Sequence, residues 1–143
     1  MPSSLLSRRD LDFLLHEWLD LDALLETDAF AEHDRGTVDA ILDLAEQVAT
    51  EAFAPHNKRN DEEEPTFDGK GARVNDEVGP ALAAYYDAGF GGMTMPPDVG
   101  GGGLPNVVAL AAGLWFSAAN VATSGFPFLT AANANLLLAH ATP

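Results

Sequence analysis

Apolar residues recur at helical spacing almost from the start of the chain. Leu11, Leu14, Leu15, Trp18 and Leu19 fall on one face, with Asp12, Glu17 and Asp20 between them. Ser7 stands where an N-cap belongs and Asp10 in the first turn, so an amphipathic helix is predicted through about Asp20. A second short helix is expected near Ala23 to Phe30. The strongest stripe follows: Val38, Ile41, Leu42, Ala45, Val48, Ala49, Ala52 and Phe53, with Asp39, Asp43, Glu46 and Glu51 largely off it. Thr37 reads as its cap, and Pro55 as its end or a kink. Residues 57–75, "NKRNDEEEPTFDGKGARVN", read as a polar loop. Asn75 and Asp76 read as the cap of a helix carrying Val78, Leu82, Tyr85 and Tyr86, with Gly89 just past its end. Pro105 suits a first helical turn, and that helix should reach about Val121. A break over Thr123 to Pro127 and a last helix from Leu129 to His140 complete the pattern. No segment alternates with a strand's period and no repeat is evident. The predicted fold is all-α, an array of five or six helices.

Composition narrows the functional classes. A chain of 143 residues with 47% hydrophobic residues can bury a core as one domain, so disorder is excluded. Its 22 acidic and 7 basic residues give a net charge of −15, which argues against nucleic acid or an anionic membrane as partner. There is no cysteine for a disulfide or a thiolate metal site. Arg8, Arg9 and Asp10 lead into an acidic segment rather than the apolar core of a signal peptide, so a cytoplasmic protein is expected.

The charge is unevenly placed. Every Lys and Arg precedes Val74, and after it only Asp76, Glu77, Asp87 and Asp98 are charged. The last third is therefore buried against something, embedded in a membrane, or part of a longer chain. The apolar run from Val107 to Ala119 is shorter than the roughly 20 residues a span needs, and it lacks basic flanks. No membrane span is expected, and helices that want a covering partner are.

Candidate sites for chemistry are few. The run Gly100 to Gly103 lacks the preceding strand and following Lys-Ser/Thr of a phosphate loop, and reads as a tight turn. Asp61 to Glu64 lacks the alternating ligands of a calcium loop and reads as solvated. His16, His33, His56 and His140 form no metal-binding pair, and no metal site is expected.

The stretch "YYDAGFGGMTMPPDVGGGGLP", residues 85–105, resembles the acyl-CoA dehydrogenase family. Pro96, Gly100, Gly101, Gly103 and Leu104 match that family's Pro-Glu-x-Tyr-Gly-Gly-x-Gly-Leu pattern. Asp98 replaces the acid conservatively, and Val99 stands where an aromatic is usual. "LWFSAANVATSGFPFLTAANANLLLAHATP" resembles the family's next two helices. "RRDLDFLLHEWLDLDALL" resembles the N-terminal extension of a bacterial branch that includes long-chain-like and methylthiopropionyl-CoA dehydrogenases. The resemblance implies an N-terminal helical domain over residues 1–143, with an extension at 1–30 and core helices at 37–143.

In that family a carboxylate base removes the α-proton of an acyl-CoA, and the β-hydrogen leaves as hydride to the flavin of FAD. The base and most FAD contacts belong to a middle β-domain and a C-terminal helical domain, which the resemblance places outside these residues. No catalytic or cofactor-binding residue is carried over, and the chain alone is expected to be inactive. The resemblance implies that it supplies one wall of the acyl pocket. The candidates are Phe126, Phe128, Leu129, Thr130 and Asn133, with Thr123 and Ala131 behind them. The implied parent is a flavoprotein of fatty-acid metabolism, a homo-oligomer that passes electrons to an acceptor. Rival readings are a non-catalytic helical interaction module, and a family member with acyl-CoA oxidase or alkylation-response chemistry.

Overall fold

The structure is a computed structural model, and it describes residues 5–141. It is helical apart from one small hairpin. Helix α1 (Arg8–Asp12) widens into a π turn over Phe13–Trp18, and α2 covers Leu21–Leu25. Ser7 caps α1 as predicted, its hydroxyl accepting from the Asp10 N–H at 3.3 Å. The second helix ends earlier than the expected Phe30, and the chain continues in turns.

Helix α3 (Arg35–Val48) carries the predicted stripe, and Val38, Leu42 and Ala45 are fully buried. Its cap is Asp34 rather than Thr37. The Asp34 carboxylate accepts from the Thr37 N–H at 2.7 Å and from the Thr37 hydroxyl at 2.8 Å. Those hydrogen bonds, the backbone one foremost, hold the Asp34 carboxyl below its ordinary pKa. Pro55 does not end this helix. A π turn over Ala49–Phe53 and a tight 3₁₀ turn over Ala54–His56 carry the chain past the missing N–H into α4 (Asn57–Glu62).

Residues 57–75 are therefore not all loop. After α4, β1 (Thr66–Phe67) pairs antiparallel with β2 (Ala72–Arg73). Asp68 closes the connection by accepting from the N–H groups of Lys70 and Gly71, and Gly69 takes the positive φ of 90° that the turn demands. Helix α5 (Val78–Asp87) starts without a side-chain cap. The Asn75 backbone carbonyl accepts from Val78, while the Asn75 side chain turns to Asn60. Gly89 has the left-handed conformation expected after the helix.

The last two helices break in a different place from the expected one. Helix α6 (Asn106–Ala119) stops at Asn120, which is extended and caps α7 (Val121–His140) through a 3.0 Å bond from the Thr123 N–H. Pro127 sits inside α7 instead of breaking it. A satisfied cap three residues before Thr123 outweighs the one backbone bond that proline removes.

One buried cluster joins Leu11, Leu15, Leu21 and Leu25 to α3, α5 and α6. Its centre is aromatic. Phe116 lies 4.9 Å from Phe53, 4.9 Å from Tyr85 and 5.0 Å from Phe90, ring centre to ring centre. Arg8 ties the N-terminal segment to α3 through Asp39 and Asp43. None of the described helices is long and apolar enough to cross a membrane.

The glycine run is a strap folded onto residues 92–95. Gly102 donates to the Gly92 carbonyl at 3.0 Å, Gly103 to Met95 at 2.9 Å and Leu104 to Met93 at 2.8 Å. A Cβ on Gly101 would overlap the Met95 carbonyl, whereas one on Gly100 meets nothing but would sit at a φ of 84°. Gly100→Ala should therefore destabilise the fold by about 1–2 kcal/mol, the penalty of a left-handed residue. Gly101→Ala should lower the urea midpoint further than Gly100→Ala does; equal midpoints would contradict the close approach.

Candidate functional site

An apolar cleft of about 420 Å³ lies between α5, α6, α7 and the turn that joins α5 to the glycine strap. One stripe of α6 forms its floor: Ala109, Leu110, Gly113, Leu114 and Ser117 recur at helical spacing. Tyr85, Phe90, Met93 and Met95 form one wall. Pro127, Phe128, Ala131 and Ala132 of α7 form the other. Phe128 is 71% exposed, so this aromatic wall faces the open cleft rather than the core.

Among the described residues no Asp, Glu, Lys, Arg or His lines the cleft. Its titratable group is the Tyr85 phenol, which burial and then the neighbouring Tyr86 push up to about 12. The phenol is neutral at physiological pH and donates to the Phe90 carbonyl at 3.3 Å. Polar character comes from the uncharged side chains of Thr94, Asn106, Ser117, Ser124 and Asn135. Such a surface can bind and orient an uncharged chain, but it supplies no ionised group to a reaction.

The diphosphate of a dinucleotide such as FAD requires cations or free N–H groups. All four glycine amides of the strap donate to the chain's own carbonyls. No Lys or Arg follows Arg73. The cleft residues thus suit an apolar chain and do not fit the cofactor's diphosphate.

The sequence candidates are divided by the structure. Phe128 and Ala131 line the cleft. Phe126, Leu129, Thr130 and Asn133 are exposed on other faces of α7. Thr123 is fully buried on the side away from the cleft. The Tyr85 to Met95 wall and the α6 floor were not singled out by sequence reasoning. The quoted 85–105 motif did contain that wall, but its glycines and prolines speak of turns and not of lining.

Thr123 instead anchors a polar network between α7 and the α3–α4 corner. Its hydroxyl oxygen lies 2.8 Å from His56 Nε2 and accepts from the Asn60 amide at 2.9 Å. Asn120 donates to the Phe53 carbonyl at 3.2 Å. His56 is buried, and His16 also has a buried side chain, whereas His140 is exposed. Among the described residues no three His, Asp or Glu side chains gather as metal ligands.

No protein-family model matches the chain, and no curated protein matches it.

Removing the Thr123 hydroxyl takes away the partner of the buried His56 Nε2 and one acceptor of the Asn60 amide. Thr123→Val should destabilise the fold by about 1–3 kcal/mol in urea unfolding. Thr123→Ser keeps the hydroxyl and should lose only about 1 kcal/mol for the methyl. A serine variant as unstable as the valine variant would show that the network carries no weight.

Proposed function

We propose that this chain is the N-terminal helical domain of an FAD-dependent acyl-CoA dehydrogenase, and that its α6–α7 cleft is one wall of the acyl pocket. The observation that carries this reading is a coincidence of place. The segment that resembles the family, residues 85–105, supplies Tyr85, Phe90, Gly91, Met93, Thr94 and Met95 to the cleft. An uncharged cleft suits the hydrocarbon part of a thioester substrate. The proton-abstracting carboxylate and the flavin contacts then come from other parts of the parent protein.

A second reading is supported by a different observation. Helix α7 exposes Val121, Phe126, Phe128, Leu129, Leu136, Leu137 and Leu138. Apolar residues exposed on several faces of one helix also suit a helical module whose α7 is covered by a partner protein.

The two readings separate in one assay. The product of the whole gene, with any sequence that follows Pro143, should carry FAD and reduce an artificial electron acceptor when given an acyl-CoA. The 143-residue chain purified by itself should be colourless and inactive. A whole-gene product without flavin, or a yellow 143-residue chain, would overturn the dehydrogenase reading.

A further inference from the structure

We infer that Gly113 is the residue that sets how bulky a chain the cleft accepts. The inference rests on the cleft being a ligand site and adds the residue that limits its occupant. Gly113 lies in the middle of α6, where glycine is the poorest helix former after proline. A helical glycine is commonly kept for one of two structural reasons, and neither holds here. Its φ is not positive, so no left-handed conformation requires it. A Cβ at this position would meet no atom within 4 Å, so no neighbouring helix or strap approaches it closely. The helical Gly79 and Gly125 are equally open, but Gly113 alone of the three lines the cleft.

What the missing side chain does leave is space on the cleft floor. Gly113 lies in the same α6 stripe as Leu110 and Leu114, across from Phe128 and Ala131. A leucine in its place would project into the volume that these residues enclose. Because no charged side chain among the described residues lines that volume, the chain it admits is neutral and apolar. The glycine thus gives up helix stability and leaves room for a guest.

The test uses N-phenyl-1-naphthylamine, a neutral apolar fluorophore, with the 143-residue chain. The wild type should bind it with enhanced, blue-shifted emission. Gly113→Leu should weaken binding by roughly tenfold or more while the melting temperature holds or rises. Gly113→Ala, which guards against a leucine variant that fails to fold, should melt higher and bind about threefold more weakly. Gly79→Ala is the control, since Gly79 is a helical glycine with open space around it but away from the cleft. It should bind as the wild type does. A wild type that does not bind the probe, or Gly113 variants that bind it unchanged, would overturn the inference. If Gly113 controls probe binding and the whole-gene product oxidises no acyl-CoA, the dehydrogenase reading falls and the role of Gly113 stands.

Discussion

The contact on which the structure depends most is the packing of Phe116 against Phe53, Tyr85 and Phe90. Those three rings come from the π turn after α3, from α5 and from the short turn beyond it. One side chain on α6 therefore fixes three otherwise separate pieces of chain. Each tilted or edge-on aromatic pair contributes on the order of 0.5–1.5 kcal/mol beyond its buried area. The same side chain reaches the cleft, as do Tyr85 and Phe90. Core and site are thus built from shared residues, and the cleft inherits the rigidity of the core. The glycine strap does the same work from outside, pinning residues 92–95 by backbone bonds so that Met93 and Met95 stay in the wall.

Charge is the second constraint. A net charge of −15 repels itself within a small volume, and the basic residues that relieve it all lie before Val74. Arg8 joins Asp12, Asp39 and Asp43, and Arg59 joins Glu63 and Glu77. The N-terminal half thereby becomes a conventional solvated surface. Helices α6 and α7 carry no Asp, Glu, Lys or Arg at all, yet α7 is largely exposed. That contrast sets a charged, solvated half against an uncharged half whose last helix is exposed.

The helical class was legible because the apolar period is long and strong in α3 and because the apolar run from Val107 to Ala119 is too long for a strand. The glycine run was legible as a turn, because nothing around it met the needs of a phosphate loop. Boundaries were harder, and each departure has a local cause. Asp34 and Thr37 are both good caps, and only the fold shows which carboxylate or hydroxyl meets which N–H. Pro127 is a stronger breaker than Asn120 in sequence, but Asn120 finds both a backbone N–H to cap and the Phe53 carbonyl as partner. The Asp68-Gly69 turn carries a hairpin signal that is easily lost in an acidic, exposed stretch. The cleft was legible only on its α7 side. Its other wall comes from residues whose apolar character reads equally well as core, and only the packing of α5 against α6 opens them to a common space.

On the proposed reading, the space between α6, α7 and the 85–95 segment holds an acyl chain. The most direct measurement is photo-crosslinking of the whole-gene product with an acyl-CoA that carries a diazirine on its chain, followed by mass-spectrometric mapping of the adducts. Adducts are expected on residues of the cleft, Leu110, Leu114, Phe128 and Ala131 among them. Adducts that lie elsewhere on the protein, with these residues unlabelled, would contradict it.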